Sequence, residues 1–242
     1  MADIKFFDGV EVSLMDHMGS DASVVRAARV SVVGDEGQPI IIPRPTLDGP
    51  EGKLINYLMR KRHGSPFEHN ALTFAIKAPI FVAREFMRHR IGWSYNEMSG
   101  RYTELPGEFY VPSPERKLVN VGSSANPVFE AGSVTMVSNV AWALKDSYTA
   151  AWKEYQALLR MGAANEVARM VLPLGIMTQF YATCNARSLM SFLSLRTIEP
   201  EATYPSNPQI EIDMVARKME ASFADLFPVT YEKWNDNGRV AP

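Results

Sequence analysis

The chain has 242 residues, of which 46% are hydrophobic and 21% are charged, and its formal net charge is −2. These values are typical of a globular protein with a sizeable core and exclude a disordered chain. The slightly acidic balance also argues against a protein of duplex DNA or RNA, because such proteins are usually basic.

Cysteine usage and the N-terminal sequence bear on location. The single cysteine, Cys184, allows no intrachain disulfide and no four-cysteine zinc site, which favours a reducing cytoplasm. The N-terminus lacks the basic and apolar stretches of a secretory signal. No stretch approaches the roughly 20 apolar residues of a membrane helix. We therefore expect a cytoplasmic protein without a membrane partner.

The N-terminal quarter predicts one strand and two helices. Residues 3–13 alternate loosely and predict a strand, and Asp21 is a candidate cap for a helix through 24–33. The many Gly and Pro residues in 34–52 predict an irregular segment. An amphipathic pattern predicts a short helix over 54–62.

The middle of the chain predicts a strand, a helix and a mixed segment. Every second residue of 71–77 is apolar and bulky, which predicts a strand with one buried face. Pro79 is tolerated in a first helical turn, so we predict a helix over 79–90. Residues 91–112 predict loop and strand, with 94–102 in a loop.

The second half predicts mostly helix. Apolar residues recur on one face over 134–161, and Gly162 can end that helix. The remaining predicted elements are a helix at 165–172, a strand at 176–184, and helices at 186–195 and 209–226. Strands and helices interleave without regular βαβ spacing, so we predict an α+β fold in a single domain, 1–242.

The first polar cluster contains Arg84, Arg88, His89, Arg90 and Arg101. Arginines four residues apart share a face of a helix, and this predicted helix is otherwise apolar. A half-buried guanidinium needs an anionic partner, and the two nearby glutamates are too few. A phosphate would suit arginine, which donates two parallel hydrogen bonds. The alternative is a solvated basic helix end.

A second cluster lies in 94–102. Ser94, Asn96, Ser99 and Gly100 supply hydroxyl, amide and backbone donors beside Arg101. They could form a second site for a phosphate or a base. The alternative is a polar turn without a ligand.

A third cluster comprises Asn185, Arg187, Ser191, Ser194 and Arg196, on a predicted helix with an apolar body. Arg169, in the short helix before it, is a further candidate. The alternative for each arginine is a surface ion pair, worth about 0–1 kcal/mol.

Neither the histidines nor the cysteine form a recognisable catalytic motif or metal-binding motif in the sequence. His63 and His69 match no ligand spacing and are interpreted as structural, so we predict no metal. Cys184 has no activating neighbour in the sequence and is interpreted as core packing. The phosphate-loop and dinucleotide fingerprints are absent.

Taken together, the strings resemble the flavin-dependent thymidylate synthases. RHRIGWSYNEMSGRY (88–102) is similar to the family signature of Arg-His-Arg followed by a serine. Family-like blocks occur in family order over most of 25–196. They are VRAARVS, HGSPFEH, FAIKAPIFVAREFMRHR, EFYVPSPE, EVARMVLP and NARSLMSFLSLR.

The resemblance implies a set of FAD contacts. Arg88, His89 and Arg90 match the motif positions that hold FAD. The other FAD positions implied are Ser65, Glu97, Asn185, Arg187 and Ser191.

The resemblance also implies a dUMP site and a catalytic residue. Arg196 matches the arginine that promotes ionisation at N3 of the uracil and is the implied catalytic residue. The dUMP contacts implied are Glu85, Arg88, Glu97, Ser99, Gly100, Arg101, Arg169 and Arg196.

The family reaction methylates dUMP to dTMP, with methylenetetrahydrofolate as carbon donor and FAD, reduced by NADPH, as hydride carrier. It uses no protein nucleophile, which agrees with the lack of a Pro-Cys-His string in this chain. The resemblance further implies a central β-sheet flanked by long helices and a homotetramer whose active sites are shared between subunits. No nucleic-acid partner is implied.

Three features depart from the family pattern. The eight residues between Arg90 and Ser99 exceed the usual spacer by one, and Gly92-Trp93 is the expected site of the insertion. Ser191 replaces a different polar residue, and the segment 197–209 is longer than usual.

Three other functions compete with this interpretation. A flavoprotein oxidase or reductase would share only the FAD site and would not depend on dUMP and folate. A nucleotide sensor would bind dUMP without turnover, although Arg196 argues against it. A nucleic-acid-binding module on 84–101 would require steeply salt-dependent binding.

Overall fold

The computed structural model describes residues 4–33, 41–124 and 126–242. Helices and strands alternate irregularly, which confirms the α+β prediction. The strands are β1 (Lys5–Phe7), β2 (Glu11–Met18), β3 (Ala71–Pro79), β4 (Trp93–Glu97), β5 (Glu108–Tyr110), β6 (Val119–Asn120), β7 (Phe129–Glu130) and β8 (Met177–Cys184). The helices are α1 (Asp21–Val33), α2 (Pro50–Arg60), α3 (Ile80–Phe86), α4 (Val134–Arg160), α5 (Asn165–Ala168), α6 (Ala186–Arg196), α7 (Ile210–Leu226) and α8 (Pro228–Asp236).

The main sheet has four strands in the order β2-β3-β8-β4. In β3, Leu72, Phe74 and Ile76 are buried, as their spacing in the sequence predicts. Two small pairs accompany the sheet. β1 pairs with β5 in parallel, and β6 pairs with β7 in antiparallel orientation.

The chain divides into two compact units, each of which contains a part of all four strands of the main sheet. The first unit comprises Met1–Glu11, Ile76–Arg88 and Asn96–Phe180. The second comprises Val12–Ala75, His89–Tyr95 and Tyr181–Pro242.

The first unit is built around the C-terminal half of α4. Tyr148, Trp152 and Tyr155 on this helix pack in one apolar cluster with Phe109 and other residues of the unit. The Ser133 hydroxyl accepts a hydrogen bond from the Met136 amide and so caps the start of the helix. Gly162 ends it with a φ of +86°. The predicted helix at 134–161 is confirmed.

The second unit packs α2, α6, α7 and α8 around fully buried side chains such as Phe192, Phe223 and Trp234. Asp21 is buried at the start of α1. Its carboxylate accepts hydrogen bonds from the Val229 amide at 2.9 Å and from the Thr230 amide and hydroxyl at 2.8 and 2.7 Å. Asp21 therefore caps the start of α8, because its partners lie there and not in the predicted helix at 24–33.

Several predicted boundaries are wrong. Residue 3 lies outside the described residues, and 4–13 contain β1 and the start of β2 rather than one strand. Helix α2 begins at Pro50 rather than at 54. The helix predicted over 79–90 ends at Phe86, and the predicted loop over 94–102 begins as strand β4. Helix α8 was not predicted. Of the irregular segment 34–52, residues 34–40 lie outside the described residues, and 41–49 contain neither helix nor strand.

Candidate functional site

The first unit contains a cavity of about 360 Å³ beside the end of β4. Its polar lining comes from Glu97, Gly100, Glu166, Arg169 and Thr178. Its apolar lining includes Ile80, Met98, Leu105, Met170 and Met177. An apolar hollow with a few convergent polar groups is the usual form of a small-molecule site.

Glu97 is held in place from β8. The Thr178 hydroxyl, which is buried, donates a hydrogen bond of 2.7 Å to Glu97 Oε1. The Met98 amide bonds to the Gln179 carbonyl next to it, so backbone and side chain are both tied to the same strand. Glu97 and the arginine at 169 thus offer a hydrogen-bond acceptor and a cation in one cavity.

Residues 99–103 form a tight turn at the same cavity. The Tyr102 and Thr103 amides both bond to the Ser99 carbonyl, and the Arg101 amide bonds to Ser99 Oγ at 3.3 Å. Gly100 is buried against Leu105, so the backbone rather than a side chain borders the cavity there.

Arg101 projects from this turn and pairs with Glu166, with Nε 3.0 Å from Oε2. Both side chains are about half exposed, at 54% and 52%, so the pair contributes little to stability. A weakly held guanidinium at the edge of a cavity can exchange its carboxylate partner for a phosphate.

Of the predicted dUMP contacts of this unit, Glu97, Gly100 and Arg169 line the cavity, Ser99 and Arg101 lie in the turn beside it, and Glu85 and Arg88 do not line it. Glu85 is half-buried on α3, and Arg88 is exposed in the turn after it. Because α3 stops at Phe86, Arg84 and Arg88 do not share a helix face, and the premise of a common arginine face is wrong.

In the second unit, two predicted site residues, Arg196 and His89, contact each other directly. Arg196 Nε donates to His89 Nε2 at 3.0 Å. Burial and the neighbouring Arg196 charge lower the pKa of His89 from 6.5 to about 4. The ring is therefore neutral at pH 7 and accepts a hydrogen bond from Arg196. The rings of His89 and Phe192 pack in a T-shaped arrangement.

A turn fixes the chain directly after His89. The Tyr95 hydroxyl donates to the His89 carbonyl at 2.7 Å, and the Trp93 amide bonds to the Arg90 carbonyl. Gly92 has a φ of +69°, which suits the third position of a type II turn. The structure thus places a turn at 90–93, which includes the Gly92-Trp93 position where the extra residue is expected.

Helix α6 supplies the support for that turn. The Ser188 hydroxyl donates to the Ile91 carbonyl at 2.9 Å. A Cβ at Gly92 would lie 2.2 Å from Ser188 Oγ, so only glycine fits this close approach. Ser188 was not among the predicted site residues, because consecutive residues of a helix point in different directions and Arg187 gives no indication of its neighbour.

The remaining predicted FAD residues of this unit lie around the start of α6. Asn185 is the N-cap, since its Oδ1 accepts from the Ser188 amide at 2.9 Å. The prediction that placed Asn185 on the helix is therefore wrong, because the residue directly precedes α6. Arg187 Nη1 pairs with Glu68 at 2.6 Å. Ser65 begins the short 3₁₀ helix that contains Glu68, and Ser191 is exposed on α6.

A family model described as thymidylate synthase complementing protein matches residues 13–229. The flavin-dependent thymidylate synthase of Streptomyces avermitilis is 54% identical over 238 residues, which cover 98% of this chain and 96% of the relative. The chain belongs to the flavin-dependent thymidylate synthase family. The enzyme of the same name from Tropheryma whipplei strain TW08/27 is 45% identical over 99% of this chain and 98% of its own.

A solved structure extends the likeness from the sequence to the fold. It is a UMP/dUMP methylase, PolB, from Streptomyces cacaoi bound with 5-Br UMP, 47% identical with a TM-score of 0.90. The match covers 99% of this chain and 100% of that one. The resemblance of the sequence to the flavin-dependent thymidylate synthases, and the prediction of an enzyme of this family, are confirmed.

The predicted site residues of this flavin-dependent thymidylate synthase family member lie in both units. The first unit contains Arg88 and Glu97 of the predicted FAD set and every predicted dUMP contact except Arg196. The second contains Arg196 and the other predicted FAD residues, Ser65, His89, Arg90, Asn185, Arg187 and Ser191. Glu166 and Thr178 were missed because single polar residues next to a predicted helix or inside a strand carry no distinctive pattern.

Cys184 lies in the core, as interpreted. Cys184 is buried, and its burial raises the pKa of the thiol well above the ordinary value. Among the residues that the structure describes, no group of three or more His, Cys, Asp or Glu side chains is placed to hold a metal ion. Over the same residues, no helix is both long and apolar enough to cross a bilayer.

Proposed function

We propose that the protein methylates dUMP to dTMP in the cytoplasm, acting as one functional domain over 1–242. Methylenetetrahydrofolate is the carbon donor, and FAD reduced by NADPH is the hydride carrier. The observation that carries the proposal is the cavity in the first unit, where Glu97, Gly100 and Arg169 of the expected dUMP set come together. The S. cacaoi methylase, described as bound with uridine nucleotide analogues, supports the same substrate class.

The cavity suits a nucleotide with one phosphate. Arg169 in the cavity lining and Arg101 in the adjacent turn supply two guanidinium groups, and Ser99 supplies a hydroxyl. The Glu97 carboxylate, held by Thr178, is an acceptor for a ribose hydroxyl or a uracil N–H. Phosphate binding would displace Glu166 from Arg101, at little cost because that ion pair is exposed.

The donors of the second unit suit the diphosphate of FAD. Arg90 and Arg187 are exposed cationic side chains, and Ser65 and Ser191 are exposed hydroxyls. Guanidinium and hydroxyl groups are the donors that phosphate oxygens accept best. When bound, FAD supplies the hydride that completes the methyl group.

Arg196 has the central electrostatic role in this proposal. Its guanidinium has five donors, and the contact to His89 uses Nε. A neutral His89 orients the guanidinium without competing for negative charge. Arg196 then stabilises the charge that develops on the pyrimidine when N3 ionises, as a preorganised donor does in an oxyanion hole.

The chain also supports a reaction without a protein nucleophile. A nucleophilic cysteine must ionise near pH 7 and must be reachable by the substrate. Cys184 meets neither condition, since it is buried and the pKa of its thiol is raised. Cys184 is therefore unsuited to be the nucleophile, and in the proposed reaction Arg196 activates the pyrimidine.

We also propose a homotetramer with active sites shared between subunits. The N-terminal half of α4 is apolar but uncovered, with Val134 85% and Trp142 69% exposed. Large exposed apolar side chains along one helix are typical of a subunit interface.

The experiment is product formation with methylenetetrahydrofolate labelled at its transferable carbon. Label should enter dTMP only when dUMP, FAD and NADPH are all present. Parallel reactions with UMP in place of dUMP test whether this protein methylates both nucleotides that the name of the S. cacaoi methylase gives. Labelled product from neither nucleotide, with FAD retained by the protein, would overturn the proposal and leave an oxidase or a sensor.

A further inference from the structure

The residues that directly follow Arg196 are held by α7. The Ile198 amide donates to Asp213 Oδ1 at 2.8 Å, and Arg217 Nη2 donates to the Ile198 carbonyl at 2.6 Å. Arg217 also pairs with Glu199. Three successive contacts to one helix fix the backbone at the point where α6 ends.

Thr197 is the link between these contacts and α6. It is 1% exposed and forms the C-cap of the helix. Its amide bonds to the Leu193 carbonyl at 3.0 Å, and its hydroxyl donates to the same oxygen at 2.7 Å. The hydroxyl oxygen accepts from Arg239 Nη2 at 3.0 Å. One hydroxyl thus joins the last turn of α6 to an arginine beyond α8.

Arg239 is itself rigidly placed. Its Nη1 donates to Glu220 Oε1 at 2.6 Å and to Asn235 Oδ1 at 2.9 Å, and its guanidinium lies 4.2 Å from the centre of the Trp234 ring. The side chains of Arg239 and Glu220 are only 9% and 7% exposed.

A buried ion pair of this kind is not an efficient source of stability. Apolar residues of the same size often stabilise a fold as well, because two charges no longer have to be desolvated. Arg239 also adopts a φ of +60°, a conformation that non-glycine residues rarely take. Beyond packing, the Arg239–Glu220 pair orients a hydrogen bond, because Arg239 donates to the Thr197 hydroxyl at the end of α6.

We propose that Arg239 and Glu220 are positioning residues for Arg196, acting through the Thr197 hydroxyl. The last turn of α6 carries Arg196, and its contact with His89 depends on where that turn ends. The inference rests on the proposed function only in its catalytic part, because the Arg196–His89 contact can be measured without turnover.

The test uses Thr197→Val, which keeps the shape and removes the hydroxyl, and Arg239→Met. We expect each to lower kcat about tenfold or more at an unchanged KM for dUMP, since a displacement of about 1 Å can cost about 100-fold. Thr197→Ser, which keeps the hydroxyl, should restore wild-type kcat.

A second readout is the NMR titration of the His89 ring. Because the Arg196 charge contributes to its lowered pKa, both variants should raise the titration midpoint from about 4. Arg29→Met is the matched control, since it breaks the 2.9 Å Arg29–Glu51 pair in the same unit without touching α6.

The outcomes separate the two proposals. An unchanged His89 midpoint and unchanged kcat in folded Thr197→Val would overturn the positioning role, whatever the effect on stability. A wild-type protein without methylase activity would refute the proposed function, while the titration would still test the contact. If Arg239→Met does not fold, Thr197→Val and Thr197→Ser decide the question.

Discussion

Gly92→Ala places a methyl group where the structure has no room for one. The new Cβ would lie 2.2 Å from Ser188 Oγ, far inside van der Waals contact. The residue must also keep a φ near +69°, which costs an L-residue about 1–2 kcal/mol. Moving Ser188 aside breaks its hydrogen bond to the Ile91 carbonyl, a loss of about 0.5–1.5 kcal/mol. We expect a total destabilisation of about 1.5–3.5 kcal/mol.

Gly162→Ala is the matched control. Gly162 has a φ of +86°, but nothing lies within 4 Å of a Cβ built there. It should therefore cost only the backbone part, about 1–2 kcal/mol. The difference between the two variants isolates the contact with Ser188.

The assay is equilibrium urea unfolding of both variants, of Ser188→Ala and of the Gly92→Ala, Ser188→Ala double variant. Removing the hydroxyl takes away the 2.2 Å contact and leaves neighbours at 3.1 Å or more. The two changes should therefore be non-additive, with Gly92→Ala costing less in the Ser188→Ala background. FAD affinity should fall in Gly92→Ala, because the turn follows His89 and Arg90. Equal costs for Gly92→Ala and Gly162→Ala, together with additivity, would refute the reasoning.

Four further predictions follow from single contacts. Asp21→Ala should lower the free energy of unfolding, measured with urea, by about 2–3 kcal/mol, because three buried donors lose their carboxylate acceptor. Ser133→Ala removes an exposed cap and should cost about 0.5–1 kcal/mol. His89 binds its proton near pH 4 when folded and near 6.5 when unfolded, so the free energy of unfolding should fall as pH drops between these values, and His89→Gln should lose that part of the dependence. Arg101→Ala should raise the KM for dUMP about tenfold or more without changing FAD affinity in a flavin titration. Arg196→Ala should retain FAD yet lose about 10²–10³ in kcat, and full turnover would remove it from the mechanism.

Periodic patterns predicted the elements whose buried side chains recur at regular steps along the chain. Alternation in 71–77 gave β3, and the apolar face over 134–161 gave α4 with its end at Gly162. Contacts between residues far apart in the chain could not be predicted from the sequence. Asp21 caps a helix 208 residues away, and only folding brings that partner to it.

The same limit applies to the candidate site. Family motifs named the residues, but not what each one contacts. The helix predicted through Arg90 ends early, and the His89 carbonyl takes a hydrogen bond from the Tyr95 hydroxyl instead of continuing the helix. The pairing of His89 with Arg196 joins residues 107 positions apart and could not be predicted from either motif.

The most direct measurement of the central claim is the visible spectrum of the purified protein through one anaerobic cycle. The protein should bind added FAD and show an oxidised-flavin spectrum that bleaches with NADPH. The flavin colour should then return only when both dUMP and methylenetetrahydrofolate are added, with one dTMP formed per flavin reoxidised. A protein that does not retain FAD, or whose reduced flavin is reoxidised to the same extent without dUMP, would contradict the account.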